Sequence, residues 1–376
     1  MDGSRLNILY ISRDFTTHDY RFLDSFVREG WSPFHLPIEG GRLDSRPLPN
    51  GARAFPSLAD LSGRGASWRT KRDCLTRVIA QVIPDVVLAG PVQSGAFIAA
   101  LARARPLIAV SWGTDLLVDA DATTFSKFVT RHTLSSSEAV FGDCRAVRAA
   151  VRRNSGIEDE RIVTFPWGID LLRFAPGPSS STLRHDRGWE GNEIFISTRS
   201  WEPVYAIDVL VRAFAAVVRR RPTARLLLLG DGSEERTIRA LVTDLKIGEY
   251  IHMAGRVPYD HLADYFRVAD VYVSSALSDG TSVSLLEAMA CGLPVVVSDG
   301  FGNLEWVEDG VNGRLAKTGD ADSLCGSMLS LLDDRSNRSA MGATNVATAR
   351  ERANWDANFP ALIRLVEDVT HAYETR

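Results

Sequence analysis

The polar and apolar positions of this chain form short apolar runs that end in Gly, Ser, Asp or Pro, separated by longer stretches with helical spacing. In the first half the runs predict strands at Leu6–Ile11, Asp85–Leu88, Leu107–Val110, Ala139–Phe141 and Arg161–Phe165. In the second half they predict strands at Glu193–Ser197, Ala224–Leu229, Tyr250–Met253, Val271–Ser274 and Pro294–Ser298. The runs are continuous rather than alternating, as in strands covered on both faces. Between them, Ile207, Leu210, Val211, Phe214 and Val218 mark one face of a helix, and a second apolar helix over Leu285–Cys291 is stopped by Gly292 and Pro294. Strand–helix alternation on this scale predicts parallel sheets, and two sets of strands predict two of them. Such sheets bind ligands beyond the carboxyl ends of their strands, which puts the expected site in a cleft between two domains.

Length agrees, since 376 residues are about twice a usual domain. The richest Pro/Gly/Ser stretch, Pro176–Ser181, marks the expected boundary: residues 1–175 form a first domain and 176–357 a second. A weaker break near Asn354–Pro360 precedes a final helix, and residues 358–376 are expected to return to the first domain. There is no internal repeat at solenoid period.

Composition changes the picture in three places. The four cysteines are far apart with no CxxC pair, which suggests neither a disulfide framework nor a zinc knuckle and suits reduced thiols in a cytosolic protein. Met1–Arg5 runs directly into Leu6–Ile11, an apolar stretch too short for a signal-peptide core, and no run approaches the ~18 residues of a membrane span. The expected location is therefore cytoplasmic, with any membrane contact peripheral. The net charge of -4 argues against a dedicated nucleic-acid binder. Residues 1–178, however, carry 22 Lys and Arg against 19 Asp and Glu, so the first half is the one to face an anionic partner or membrane surface. There Trp68-Arg69-Thr70-Lys71-Arg72 leads into Leu75, Val78, Ile79 and Val82. That is either a helix start suited to an anionic membrane carrying a lipid acceptor, or a core-packed helix with a solvated basic face.

The segment Ser274–Pro294 concentrates the chemistry. A strand end is followed by a small polar loop, Ser278-Asp279-Gly280-Thr281-Ser282-Val283, and by a helix opening near Ser284. A helix start offers free backbone N–H groups and the positive end of the macrodipole, which suits a phosphate. Asp279 and Glu287 bracket that anion site and, repelled by phosphate, are expected to hold neutral hydroxyls on either side. Against this, Ser284-x-x-Glu287 also reads as a capping box and Asp279-Gly280 as an ordinary turn.

Asp279, seven residues and Glu287 resemble the Glu, seven residues, Glu donor motif of family 4 glycosyltransferases, with Asp in the first place. Leu227–Glu234, Met253–Val257 and Phe165–Phe174 resemble further landmarks of that family in the same order. The resemblance implies a GT-B fold, α/β with two Rossmann-like domains whose parallel sheets face a central cleft. It implies a retaining enzyme that moves a sugar from a nucleotide-diphosphate donor to an acceptor (a glycan, a lipid-linked acceptor or a small molecule), with no cofactor and no metal. By the same resemblance Glu287 binds ribose hydroxyls, Asp279 a sugar hydroxyl near the anomeric centre, and Gly280, Thr281, Ser282, Val283, Ser284 and Leu285 supply backbone amides. Arg256 and Val257 read the base, and Arg199 contacts the phosphates. A Lys that the family carries a few residues after that Arg is absent, and Tyr205 stands about where it is expected. Ser111-Trp112-Gly113-Thr114-Asp115 resembles an acceptor-side loop with Trp112 in place of His; Asp115 there is a catalytic candidate or a helix N-cap. His18 and Arg21 follow the first strand on the acceptor side, one for a hydroxyl and the other for an anionic group. The Asp pairs Asp119/Asp121 and Asp320/Asp322 are a weak metal pattern, the second explained by N-capping. Two alternatives stay open: a catalytically silent nucleotide-sugar-binding or scaffold protein, suggested by the missing Lys, and another GT-B enzyme such as a nucleotide-sugar epimerase.

Overall fold

The computed structural model describes residues 5–44, 46–300 and 302–375, so Met1–Ser4 of the N-terminal reading lie outside the described residues. The chain divides into two compact units, one taking in residues up to Pro166 together with Phe359 onward, the other Trp167–Asn358.

The first unit carries seven parallel strands: β1 (Asn7–Ser12), β2 (Ser32–Pro37), β3 (Arg53–Ala54), β4 (Val86–Ala89), β5 (Leu107–Val110), β6 (Ala139–Gly142) and β7 (Ile162–Thr164), in the order β3-β2-β1-β4-β5-β6-β7. The apolar runs behave as their continuity predicts, since every residue of β4, β5 and β6 is buried. Around them pack α1 (Thr17–Arg28), α2 (Trp68–Val82), α3 (Gly95–Leu101), α4 (Thr124–Ser135) and α5 (Arg145–Asn154). Helix α1 begins at a complete capping box between Thr16 and Asp19.

The second unit carries six parallel strands: β8 (Glu193–Ser197), β9 (Ala224–Leu229), β10 (Ile251–Gly255), β11 (Val271–Ser274), β12 (Val295–Ser298) and β13 (Gly313–Ala316), in the order β10-β9-β8-β11-β12-β13. One apolar cluster covers one face, built on α6 (Ile207–Arg220); the other cluster involves α7 (Tyr259–Val268) and α8 (Val283–Ala290). Helix α9 (Ala321–Asp333) starts at Asp320, whose side chain accepts from the backbone N–H of Asp322 and Ser323, so this Asp pair is a cap. The last helix, α10 (Pro360–Glu374), belongs to the first unit, where Phe359 at its N-cap packs on Phe22 and Phe26 of α1.

Three strands exceed the sequence reading. In β2, Pro33 and Pro37 each remove a ladder donor and mask the strand signal, while β3 has only two residues. Strand β13 is a four-residue edge with only its end residues buried. The Pro176–Ser181 stretch lies inside the second unit: Ser179 Oγ donates to the Asp264 carbonyl at 3.0 Å, and Arg267 Nε to the Ala175 carbonyl at 3.1 Å. Within the same unit Ile169 bridges Asn354, and a Cβ on Gly168 would come within 2.2 Å of the Trp355 backbone. All four cysteines are buried and free. Among the described residues no helix is long and apolar enough to cross a membrane.

Candidate functional site

In the second unit β8 lies between β9 and β11, and the chain leaves on one side before crossing to the other. The loops after β8 and β11 therefore emerge side by side, the place where an open parallel sheet binds ligands. The loop after β8 supplies Thr198 and Arg199; the loop after β11 supplies Ser275 to Ser282 and leads into α8.

Arg199 is the centre of this arrangement. It is 8% exposed, with Nη2 2.7 Å from Asp279 Oδ2 and Nη1 2.6 Å from Ser282 Oγ and 3.1 Å from Ser284 Oγ. The Tyr205 ring lies 4.0 Å from its Cζ, a cation–π contact where the family pattern has a second cation. Burial is the largest influence and works against the guanidinium charge, but Asp279 together with Tyr205 and Tyr272 more than offsets it and raises Arg199 above its ordinary value. Burial raises the Asp279 carboxyl in turn, against the pull of Arg199.

The N-cap of α8 is Ser282, whose side chain makes no capping hydrogen bond. The helix starts one residue earlier than Ser284, and the hydroxyls of the first turn face elsewhere: Ser282 and Ser284 bond Arg199, and Ser284 is 2.8 Å from the Tyr272 hydroxyl. Ser282 thus gives the first backbone N–H groups of α8 no side-chain cap, and they lie beside a fixed cation. Among the described residues Ser197 Oγ, Thr198 Oγ1 and Arg199 Nε are buried without a hydrogen-bond partner. Orphaned polar atoms at one spot are the mark of a ligand or water position.

Two glycines let the surrounding backbone close in. Gly230 has φ +100°, and a Cβ there would meet the Arg199 carbonyl at 2.5 Å, so the Gly230-Asp231-Gly232 loop buttresses the Arg199 loop. A Cβ on Gly302 would lie 1.8 Å from the Gly280 carbonyl, so the Asp279–Gly280 loop rests directly on that backbone. Glu287 is buried in the second turn of α8, and Gly280, Thr281, Ser282 and Leu285 are buried, with Val283 and Ser284 partly so. Arg256 pairs with Asp231, Nη2 to Oδ1 at 2.5 Å, and Val257 packs at the edge of the core.

In the first unit His18, Arg21 and Trp112 come together. His18 Nδ1 is 3.2 Å from Arg21 Nη2, its ring is 6.0 Å from that of Trp112, and Trp112 stands edge-on to Phe22 at 6.4 Å. Asp115 is enclosed: its carboxylate accepts from Ser111 Oγ at 2.7 Å and from the backbone N–H of Val92 at 2.9 Å, Trp112 at 3.0 Å and Leu116 at 3.1 Å. Burial still raises its carboxyl above the ordinary value. Its geometry is that of a tie between the loops after β4 and β5, and it holds Trp112 in place. Among the described residues no group of three or more His, Cys, Asp or Glu is placed to hold a metal.

Sequence reasoning missed Tyr272 and Gly302. A tyrosine inside Val271-Tyr272-Val273 was the available signal for the first: its hydroxyl needs a partner once buried, and Ser284 is that partner. Gly302 offered no pattern of its own.

Residues 180–346 match the family model described as "Glycosyl transferases group 1". Over 201 residues the chain is 31% identical to the GDP-mannose-dependent monoacylated alpha-(1-6)-phosphatidylinositol monomannoside mannosyltransferase of Corynebacterium glutamicum, covering 51% of this chain and 52% of that protein. It is 27% identical to the GDP-mannose-dependent alpha-(1-6)-phosphatidylinositol monomannoside mannosyltransferase of Mycolicibacterium smegmatis, covering 66% of this chain and 62% of that protein. The chain thus spans between about half and three fifths of the length of these curated relatives. Among solved structures it resembles sucrose-phosphate synthase from Thermosynechococcus elongatus, with TM-score 0.80 and 18% identity over 99% of both chains. It also resembles Anabaena HepE in complex with UDP-glucose, with TM-score 0.78 and 18% identity over 99% of this chain and 100% of that one. These likenesses establish the fold: two parallel-sheet α/β units of the GT-B type.

Proposed function

We propose that the chain is a glycosyltransferase that moves a sugar from a nucleoside-diphosphate sugar to an acceptor hydroxyl, with the donor held by the second unit. The observation that carries this reading is the N-terminus of α8, where Ser282 makes no capping hydrogen bond and its hydroxyl instead accepts from Arg199. The match of residues 180–346 to the glycosyl transferases group 1 model supports it independently.

In this reading the distal phosphate takes the first amides of α8 and shares the Arg199 guanidinium with Asp279. Glu287 holds ribose hydroxyls, Asp279 a sugar hydroxyl, and the backbone of Arg256 and Val257 the base. Tyr205 keeps the guanidinium in place from one side, so a ring substitutes in position, though not in charge, for the missing Lys. As the bond from the anomeric carbon to the phosphate oxygen breaks, negative charge grows on the diphosphate, where Arg199 and the helix end stabilise it. The acceptor oxygen bonds the same face of that carbon and passes its proton to the leaving phosphate oxygen, so configuration is retained and no metal is required. His18, Arg21 and Trp112 form the acceptor side, with Asp115 as the positioning group. The acceptors named for the relatives are phosphatidylinositol mannosides; a hydroxylated, anionic acceptor read by Arg21 is the class we favour here.

Thermal unfolding with UDP, GDP, ADP and their sugars, on the wild type and Glu287→Ala, tests the donor site. A ligand at 100 times its Kd adds about 2.7 kcal/mol to the native state. One nucleotide series that stabilises the wild type and not the variant is the expected result. No response to any series would remove the donor reading, and binding with no sugar transfer to any acceptor would favour the silent nucleotide-sugar-binding protein.

A further inference from the structure

Helix α4 is docked on the first unit through Val129, Thr130, Thr133 and Leu134, all buried. Its outer face carries Phe125 at 58% exposure and Phe128 at 59%. The folded unit gains nothing from two phenyl rings one turn apart in water. The rings are not isolated. Phe128 stacks on His132 at 6.0 Å, His132 meets Phe97 of α3 edge-on at 5.9 Å, and Phe97 meets Trp68 of α2 edge-on at 5.2 Å. Trp68 is itself 39% exposed, so an aromatic track crosses three neighbouring helices and surfaces at both ends.

Cations flank the track. Lys127, Arg131 and Arg153, with Phe128 and His132, line an open cavity of about 670 Å³ that has no carboxylate in its wall. At the other end Lys71 lies 5.5 Å from the Trp68 ring. Of the carboxylates nearby, Asp121 lies 3.9 Å from Lys127 and Asp73 pairs with Arg72 at 2.6 Å. Arg69, Lys71, Arg131 and Arg153 have no carboxylate partner among the described residues.

We propose that this face of α2, α3 and α4 is a docking surface for an anionic lipid bilayer, with Phe125, Phe128 and Trp68 entering the boundary between headgroups and acyl chains and the flanking cations meeting lipid phosphates. A small soluble anion would use the cavity and leave Phe125, which is not part of its wall, in water. A bilayer accounts for both rings and the cations together. Helix α4 is reached along the chain from the loop that carries Trp112, through the turn that begins at Asp115. An acceptor borne on lipid would then be presented to the acceptor side of the unit. The docking surface does not depend on the donor reading, and binding of the nucleotide by the second unit serves as an internal control.

The test is co-sedimentation of the full chain with vesicles of phosphatidylcholine alone or mixed equally with phosphatidylglycerol. Binding to the anionic vesicles only, weakened as NaCl rises from about 50 to about 300 mM, is expected. Phe125→Ser with Phe128→Ser should lower vesicle affinity at least tenfold. Lys127→Ser with Arg131→Ser should lower it by about fivefold per cation and flatten the salt dependence. Both variants should keep the wild-type unfolding midpoint and nucleotide response, because the replaced groups are largely exposed. Absence of binding to anionic vesicles overturns the proposal, as does a ring variant that binds them like the wild type. Binding of inorganic phosphate lost only in the cation variant, with vesicle binding unchanged in both, would assign the cavity to a soluble anion instead. A concentration-dependent dimer dissolved by the ring substitutions would assign the face to a second copy of the chain.

Discussion

Replacing Arg199 by Ala strands a carboxylate. With the guanidinium gone from its place 2.7 Å from Asp279, a buried negative charge keeps no cation, and Ser282 and Ser284 lose the donor that ordered them. Removing one partner of a buried pair costs about 3–5 kcal/mol. A proton sets the ceiling. Burial already raises the Asp279 carboxyl, and without Arg199 it rises further, so the native variant binds a proton more readily than its unfolded chain does. Stability of the variant therefore falls as pH rises. The deficit should be about 3 kcal/mol or more at pH 8 and shrink by up to about 1.4 kcal/mol per pH unit on acidification, until the carboxyl is neutral. Urea unfolding at pH 5.5 and 8 measures it, followed at the transition that donor nucleotide shifts so that the second unit is the one observed. Adding Asp279→Asn should restore more than half of the loss at pH 8 and erase the extra pH dependence. A double variant as unstable as the single one at both pH values would refute the reasoning, because the stranded carboxylate would then not be the cause.

Tyr205→Phe keeps the ring over Arg199 and should leave turnover within about threefold, whereas Tyr205→Ala should cost about 0.5–2 kcal/mol in kcat/KM; initial rates with the donor found by thermal shift separate the two. Gly302→Ala drives a methyl into the Gly280 carbonyl and should weaken nucleotide binding at least tenfold while Glu287 is untouched, measured by calorimetric titration. His35, 2% exposed with Nε2 2.9 Å from Ser12 Oγ, is pushed down to about 4 by burial. The unfolded chain then binds a proton that the native state refuses, and stability should climb by about 3 kcal/mol between about pH 4 and 6.5 and level off above. His35→Gln should remove that climb in urea midpoints taken across the window.

The legible parts of this chain were those where one residue type answers one physical demand. Strands buried on both faces must be continuously apolar, and β4 to β6, β11 and β12 show it, as do all but one residue each of β8 and β9. The strand end, small polar loop and helix start read over Ser274–Ser284 also stand in the fold, as β11, its loop and α8. Legibility failed where one residue type serves two demands. Ser284-x-x-Glu287 fits a capping box, but the cap falls on Ser282 and the hydroxyls turn to Arg199, a choice made by a residue 83 positions away. Asp115 reads as a catalytic carboxylate or a cap; only the fold shows the backbone of Val92 arriving to claim it. Tyr272 reads as core until Ser284 appears beside its hydroxyl. In β2 the prolines hide a strand whose place is fixed by its neighbours β1 and β3.

The bridge between Ile169 and Asn354 makes the second unit a cassette. The chain enters it at Trp167 and leaves after Asn358, and both passages are fastened to each other, the Ile169 N–H donating to the Ala353 carbonyl at 2.8 Å while Gly168 lies flush against the Trp355 backbone. Two cuts made beside this clasp would release the second unit with its ends already joined, and the same two cuts mark where a related unit could be grafted in. The glycine at the clasp is the one residue such a graft must carry with it.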